Sequence, residues 1–338
     1  MTRARHSPAR ELLGRLERLE VAIEAAQVET AWASIPSYPG GRRPTSTVEL
    51  TGHGTRGHGE HVGWTRSAHA SFSRRVASRL PRGRRPLGRL SALLRRRFPD
   101  AADRAALEAA ALWLALAQHR VELPELARIE PRPVRYVVSL DRRGDPVARI
   151  RAVRRARPGL EIKLDAGLRW SDAVLAALGR LGGIAVVDFK RRGSRRDHER
   201  FAHALPEAWL EDPGRGSGPA PAWLRPRLSL DGAIRSPRAL AVRSRAPGAV
   251  NVKPARLGGV LAAVATVAIA RERGVEPYFG GMFEVGVGRR QLLALAAVLA
   301  PEGPNDIAPI AHRGRSAPRP PRLLWRPGCG AVAPAGRT

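Results

Sequence analysis

From Arg135 onward the chain alternates short apolar, strand-like runs with helix-like segments, and this alternation restricts the fold more than any other feature. The strand-like runs are RYVVSL, LEIKLD, IAVVDFK, AWLEDP, RLSLDG, AVNVKPAR and PYFGGMFE. Helical patterns follow at 145–156, 171–181, near 197–204, 258–273 and 288–299, with only a short connection after RLSLDG. Such βα repeats predict parallel strands. Seven units are visible, and the NDIAP segment is a candidate for the eighth.

Acidic residues end three successive strand-like runs, at Asp188, Glu211 and Asp231. A (β/α) barrel carries its active groups at the C-terminal ends of its strands, so these carboxylates are expected to meet. Clustered carboxylates repel one another unless a cation binds them. Oxygen ligands favour Mg²⁺, with Mn²⁺ as the alternative. The plainer interpretation is that each acid is an ordinary loop residue.

Lysine is used sparingly, since only three of the 59 basic residues are lysines: Lys163, Lys190 and Lys253. Burial can lower the pKa of a lysine, as a proton-transfer group requires. Lys163 and Asp165 are two apart on one strand and share a face. Lys253 is expected across the barrel opening from Lys163, so the two amines are candidates for acting on opposite faces of a substrate. Lys190 is a candidate for substrate binding or a simple partner for a nearby acid.

The first part of the chain has a mixed pattern. Apolar spacing predicts a helix over 11–28, and Pro and Gly predict a loop over 31–44. A hairpin is expected from Thr47, and a helix rich in Ala and Leu is expected over 102–118. We therefore predict an α+β domain over 1–130, a catalytic barrel over 131–310, and a disordered Pro/Arg/Gly-rich tail over 311–338.

The net charge of +29 raises nucleic-acid binding as an alternative function. The excess of Arg over Lys is typical of a GC-rich genome, and charge alone gives only unspecific affinity. Aromatic residues make up 5%, which argues against stacking on single strands. With one cysteine, Cys329, and no apolar run of membrane length or secretory signal, we expect no membrane association and a cytoplasmic location.

The ordered series KLDA, VVDFK, WLEDP, LSLDG, NVKPARLGG and GGMFEVGVGR resembles the enolase superfamily. The likeness is to the mandelate racemase and muconate lactonizing enzyme branch, which includes o-succinylbenzoate synthases and dipeptide epimerases, and it spans roughly residues 45–310. TVELTGHGTRGHGEHV and ALEAAALWLALA resemble that branch's capping domain. The resemblance implies a modified TIM-type (β/α) barrel, of the α/β class, with an N-terminal α+β capping domain.

By this resemblance Asp188, Glu211 and Asp231 hold Mg²⁺, while Lys163 and Lys253 match catalytic lysines. The branch usually has a second lysine where Asp165 stands, so Asp165 is a candidate base, metal ligand or partner of Lys163. The implied activity is that of a lyase or isomerase (racemase, epimerase, cycloisomerase or dehydratase) that removes the α-proton of a small carboxylate substrate through a metal-stabilised enolate.

Glu284 matches the acid that this branch carries on its seventh barrel strand. It is expected to hydrogen-bond a developing enolate or to pair with an arginine. Homo-oligomers are common among such enzymes. The replacement at Asp165 keeps open a catalytically altered homologue that binds a carboxylate ligand without turnover.

Overall fold

The computed structural model describes residues 7–34, 41–214, 220–307, 324–325 and 331–333. Its strands are β1 (Glu20–Ile23), β2 (Ala25–Ser34), β3 (Arg42–Gly52), β4 (Thr55–His61), β5 (Gly83–Pro86), β6 (Val134–Arg135), β7 (Val137–Leu140), β8 (Glu161–Asp165), β9 (Ile184–Asp188), β10 (Trp209–Glu211), β11 (Leu228–Leu230), β12 (Ala249–Val252), β13 (Glu276–Phe279), β14 (Leu324–Trp325) and β15 (Ala331–Ala333). Its helices are α1 (Pro8–Arg18), α2 (Arg66–Arg79), α3 (Leu87–Arg97), α4 (Ala101–His119), α5 (Leu123–Ala127), α6 (Pro146–Ala156), α7 (Asp172–Leu181), α8 (Arg195–Ala204), α9 (Pro237–Ala241), α10 (Pro254–Leu257), α11 (Val260–Glu272) and α12 (Val287–Leu299).

The N-terminal region is α+β, as the sequence predicts. Strands β2, β3 and β4 form an antiparallel sheet, and α4 confirms the expected Ala/Leu helix. The hairpin from Thr47 is also confirmed: β3 and β4 pair around His53 and Gly54, which both have positive φ, of 49° and 70°. Two-residue turns of this kind match the twist of paired strands.

Two predictions in this region are wrong. The helix expected over 11–28 ends at Arg18, because the chain turns extended at Leu19 and β1 pairs with β5. Val21 and Ile23 are therefore buried by strand pairing, which apolar spacing alone does not reveal. The loop expected over 31–44 is strand at 31–34 and 42–44, where a long hairpin ladder supplies the backbone with partners. Residues 35–40 lie outside the described part of the chain.

The βα prediction is confirmed. Strands β7 to β13 form one parallel sheet in chain order, and α6 to α12 connect or follow them. Their apolar residues lie between sheet and helices, as with Ile162, Val187 and Leu210, which are fully buried. Because all seven strands run in one direction, their C-terminal ends lie at one edge, here called the barrel mouth.

The NDIAP segment joins the two edge strands of this sheet. Asn305 forms a parallel bridge with Tyr136 just before β7, and Asp306 forms one with Gly280 just after β13. The buried Asn305 side chain accepts from Phe279 N at 2.7 Å and donates to the carbonyl of Arg135 at 2.9 Å. The sheet therefore curls round on itself, as an α/β barrel requires.

Two glutamates attach the N-terminal region to the barrel helices. Glu60 of β4 accepts hydrogen bonds from the backbone N–H groups of Val285, Gly286 and Gly288, at the start of α12. Glu108 of α4 accepts from Leu261 N at 2.7 Å, at the start of α11. These carboxylates satisfy helix N–H groups that have no partner within the helix.

The predicted disordered tail over 311–338 falls mostly outside the described residues. Within it, β14 and β15 pair with each other, and β15 pairs with β6. The domain boundary near residue 130 stays a prediction. None of the helices in the described part of the chain is long and apolar enough to cross a membrane.

Candidate active site at the barrel mouth

Charged side chains gather where the parallel strands end. In the strand register, Asp165 lies beside Asp188, and Asp188 lies beside Glu211. Asp231 follows β11 directly, and Lys253 follows β12. We call the buried group at this edge the mouth cluster; its members are Lys163, Asp188, Glu211, Asp231, Lys253 and Asp306.

Lys163 is the centre of the mouth cluster. Its amine lies 2.7 Å from Glu211 Oε1, 3.1 Å from Asp306 Oδ2 and 3.4 Å from Asp188 Oδ2. Only 3% of the residue is exposed. Burial opposes the charge of the amine, but the three carboxylates raise the pKa of Lys163 well above its usual value. The amine therefore stays protonated in this arrangement.

Glu211 is fully buried and surrounded by donors. Tyr278 donates its hydroxyl to Glu211 Oε2 at 2.6 Å, and the Asn251 amide lies 3.3 Å from Oε1. Burial raises the pKa of Glu211 to about 7; the carboxylates of Asp188 and Asp231 add to the rise, and Lys163 opposes it. A further cation beside Glu211 would therefore stabilise the charged form of this carboxylate.

Asp231 is held differently, by two cations. Lys253 Nζ lies 3.0 Å from Asp231 Oδ2, and Arg256 binds Oδ1. Burial would raise the pKa of Asp231, but these cations lower it to about 2. Asp212 supports the turn after β11, because its carboxylate accepts the backbone N–H groups of Asp231 and Gly232, both at 2.8 Å.

Lys190 pairs with acids rather than standing free. Its amine binds Asp188 and lies 3.2 Å from Asp165 Oδ1. The side chain is 49% exposed. Asp165 has no ion pair with Lys163 among the described residues, and burial raises the pKa of Asp165 although Lys190 opposes this. The contacts support the interpretation of Lys190 as a partner for nearby acids, and its substrate-binding role stays a prediction.

Several residues at the mouth were not singled out from the sequence, among them Asp306, Ser139, Asn251 and Tyr278. Asp306 accepts from Ser139 Oγ at 2.6 Å and pairs with Lys163, while Asn251 and Tyr278 contact Glu211. Asp306 carried a usable signal, since it is an acid in the candidate eighth unit. Asn251 and Tyr278 lie inside strands as uncharged residues, and no charge marked them.

Glu284 lies beyond β13, in the segment before α12. It is 5% exposed and accepts from Met282 N at 2.6 Å. Burial raises the pKa of Glu284, and the neighbouring Glu60 adds to the rise while Arg289 opposes it. A raised pKa favours the protonated form, in which the carboxyl can donate a hydrogen bond.

A second buried polar group lies in the N-terminal region, and we call it the His cluster: Ser46, His61, His69, Arg75 and Asp103. Asp103 lies 3.0 Å from His61 Nε2 and binds Arg75 Nε at 2.7 Å. His69 contacts Ser46 Oγ at 2.7 Å and the carbonyl of Gly63 at 3.0 Å. His61, His69 and Asp103 are each at most 1% exposed, so this group lies in the interior of the N-terminal region.

The donor chemistry of the mouth suits a divalent cation. Asp188, Glu211 and Asp231 offer hard oxygen atoms at three neighbouring strand ends, and burial, with repulsion from the other two acids, raises the pKa of Glu211. In this arrangement lysines and Arg256 engage those oxygens. The strand-end acids do not form a group whose ligand atoms all lie within 4.8 Å of one another; among the described residues, His61, Asp100 and Asp103 do. The metal assignment to the strand-end acids stays a prediction.

Comparisons with known proteins place the fold. A dipeptide epimerase from Methylococcus capsulatus, complexed with Mg and the dipeptide L-Arg-D-Lys, matches with a TM-score of 0.79 and 20% identity, over 94% of this chain and 98% of that one. A muconate cycloisomerase variant matches with a TM-score of 0.73 and 17% identity, over 92% and 97%. The chain thus has the fold of the enolase superfamily, in the form found in its mandelate racemase and muconate lactonizing enzyme-like branch.

The chain belongs to the family described as "Domain of unknown function (DUF8230) C-terminal domain", whose model matches residues 130–313. The N-terminal domain of the same family matches residues 14–126. An N-succinylamino acid racemase from Thermus thermophilus is 32% identical over 159 residues, 47% of this chain. The match spans 39% of that relative's length.

Proposed function

We propose that this protein is a Mg²⁺-dependent isomerase or lyase that removes the α-proton of a carboxylate substrate at the barrel mouth. The observation that carries the proposal is the buried meeting of strand-end carboxylates with Lys163 and Lys253. Asp188, Glu211 and Asp231 would hold the ion. When bound, it would stabilise the negative charge that develops on the substrate carboxylate.

The two lysines have different surroundings, which supports different roles. Lys163 stays protonated among three carboxylates, so we assign it to stabilising negative charge and to donating a proton. Lys253 contacts Asp231 and no other described carboxylate within 4.0 Å, so we assign proton abstraction to it. The raised pKa of Asp165 makes its carboxylate a stronger base than usual, which supports Asp165 as the alternative base.

We propose N-acylated amino acids as the substrate class. The named relatives act on dipeptides and on N-succinylamino acids, and both are amino acids with an acyl group on nitrogen. In such molecules the α-proton lies beside a carboxylate, which matches the chemistry argued for the mouth. The reaction in that case would be racemisation or epimerisation.

The test is exchange of the substrate α-proton with deuterium, followed by NMR in the presence of Mg²⁺. We expect exchange with the wild type and a loss of about 10³-fold or more in Lys253→Ala, since a general base contributes about 10²–10⁴. Arg169→Ala is the control, because it removes an exposed cation from the segment that follows β8, and we expect it to keep exchange within about tenfold of the wild type. Normal exchange in Lys253→Ala would exclude that lysine as the base.

A second candidate is a homologue that binds a carboxylate without turnover. It is favoured by Asp165 in place of a lysine and by the amine contacts to every strand-end acid. Such a protein would show a ligand-dependent rise in melting temperature with no deuterium exchange. Turnover of dipeptide, N-acylamino acid, acid-sugar or succinylbenzoate-type compounds would eliminate this candidate.

A further inference from the structure

The His cluster contains a carboxylate oxygen that its neighbours leave without a hydrogen bond. Arg75 binds only one oxygen of Asp103, Oδ2, with its Nε at 2.7 Å and its Nη2 at 2.6 Å. The other oxygen, Oδ1, is buried and has no hydrogen-bond partner among the described residues. Asp103 is fully buried, and an unsatisfied charged oxygen in such a place costs free energy. A cation beside Oδ1 would remove this cost.

His61 approaches this oxygen without donating to it. Its Nε2 lies 3.0 Å from Asp103 Oδ1, yet that oxygen accepts no hydrogen bond from the ring. The neighbouring His69 places its Nε2 at 3.0 Å from the carbonyl oxygen of Gly63, which can only accept, so this nitrogen carries a proton. A proton on His61 Nδ1, donated to His69 Nδ1 at 3.3 Å, completes the chain and leaves the Nε2 lone pair facing Asp103. A metal-bound histidine is usually supported by such a hydrogen bond from its other nitrogen.

Asp100 offers a third ligand atom close to these two. One ligand atom from each of His61, Asp100 and Asp103 lies within 4.8 Å of the others. Asp100 precedes α4, where its Oδ1 accepts from the backbone N–H of Ala102 at 2.7 Å. It is the exposed member of the three, whereas His61 and Asp103 are buried. The group therefore has an inner side that packing holds in place and an outer side through which an ion can enter.

We propose that His61, Asp100 and Asp103 bind a Zn²⁺ ion that joins the end of β4 to the start of α4. The 3.0 Å between His61 Nε2 and Asp103 Oδ1 suits two ligands of one ion with bonds of about 2.0–2.2 Å. An imidazole beside carboxylates favours Zn²⁺ over Mg²⁺, which prefers oxygen ligands. The site shares no residue with the mouth cluster. Its role is structural, and it does not rest on the proposed function.

The experiment titrates the metal-free protein with Zn²⁺ in excess Mg²⁺, with a chromophoric chelator as competitor. The test variants are His61→Gln and Asp100→Ser; the latter removes a carboxylate but keeps a residue that caps helices well. His58→Gln is the matched control, because it removes another histidine of β4, one that pairs with Glu49. Glu211→Gln reports any Zn²⁺ that binds at the mouth instead. Circular dichroism verifies that each variant is folded.

For the wild type we expect one Zn²⁺ per chain, and a rise in melting temperature on its addition, because the ion binds the folded protein. His61→Gln should weaken binding by about 100-fold or more, and Asp100→Ser by about tenfold or more, since even the loss of a residue that only supports a ligand costs about 10–100-fold. His58→Gln and Glu211→Gln should bind within about threefold of the wild type.

Absence of stoichiometric Zn²⁺ binding by the wild type overturns the proposal. Undiminished binding in either test variant overturns it too, and a loss confined to Glu211→Gln assigns the ion to the mouth. If His61→Gln does not fold, Asp100→Ser decides the question, because its substitution lies at an exposed position. The titration requires no turnover, so its result stands whatever the deuterium exchange shows.

Discussion

The mouth cluster and the His cluster are both buried groups of acids and bases, yet they are organised in opposite ways. In the His cluster a single carboxylate, Asp103, faces Arg75 and His61. In the mouth cluster several carboxylates crowd together, and burial with mutual repulsion raises the pKa of Glu211 to about 7. The His cluster is thus arranged for stability, while the mouth cluster tolerates unfavourable charge that a bound ligand or ion can relieve.

The strongest test of this contrast is Glu211→Gln. We expect deuterium exchange to fall by about 10³-fold, because the proposed ion loses a central ligand and Lys163 loses its nearest partner. The free energy of unfolding without Mg²⁺ should change by no more than about 1 kcal/mol. The substitution relieves the repulsion from neighbouring carboxylates and at the same time loses the ion pair with Lys163, so the two effects oppose each other. Urea titration measures the second quantity, and a loss of several kcal/mol would show that Glu211 is arranged for stability.

The opposite outcome is expected for Asp103→Asn in the His cluster. Arg75 and His61 would then face a neutral amide in a buried place, and removing one partner of a buried pair costs about 3–5 kcal/mol. We expect a loss of about 3 kcal/mol in urea titration, with deuterium exchange by the folded protein kept within about threefold. Asp100→Asn, which alters the exposed acid at the start of α4, serves as the control and should cost about 0.5 kcal/mol or less, because Asn caps a helix as well as Asp does.

The smallest expected effect concerns pH. Burial lowers the pKa of His69 to about 4 from 6.5, and the neighbouring His61 adds to this shift. Because the folded pKa is below the unfolded one, the contribution to stability is complete above pH 6.5 and is lost as the pH falls towards 4. Relative to His69→Gln, the wild type should lose about 2 kcal/mol of unfolding free energy between pH 7.5 and 5. Parallel pH profiles of the two proteins would contradict this assignment.

The sequence predicted the barrel well because its strands are continuous apolar runs that end in charged residues. Asp188, Glu211 and Asp231 stand out since each closes such a run. In the N-terminal region the same method gave a false helix across Val21 and Ile23, whose burial comes from pairing β1 with a strand some sixty residues away. Periodicity reports local burial and carries no record of a distant strand partner.

The sequence singled out most of the acids and all of the lysines now seen at the candidate site, but it missed Asp306 and Arg256 and every neutral residue there. Tyr278 and Asn251 contact Glu211 through strand pairing that brings β13 and β12 to the mouth, and a neutral residue within a strand gives no sign of that. The sequence also left open which residue pairs with Asp165. The structure pairs Asp165 with Lys190, which lies two residues after the end of β9 and has a positive φ of 50°.

Glu60 and Glu108 reach from the N-terminal region to the first turns of α12 and α11, so these barrel helices depend on another part of the chain for their N-terminal hydrogen bonds. Separating the N-terminal region from the barrel would leave two buried carboxylates and several backbone N–H groups without hydrogen-bond partners. The two parts are therefore expected to melt in one cooperative transition. A hinge opening between these two parts would have to break these hydrogen bonds first.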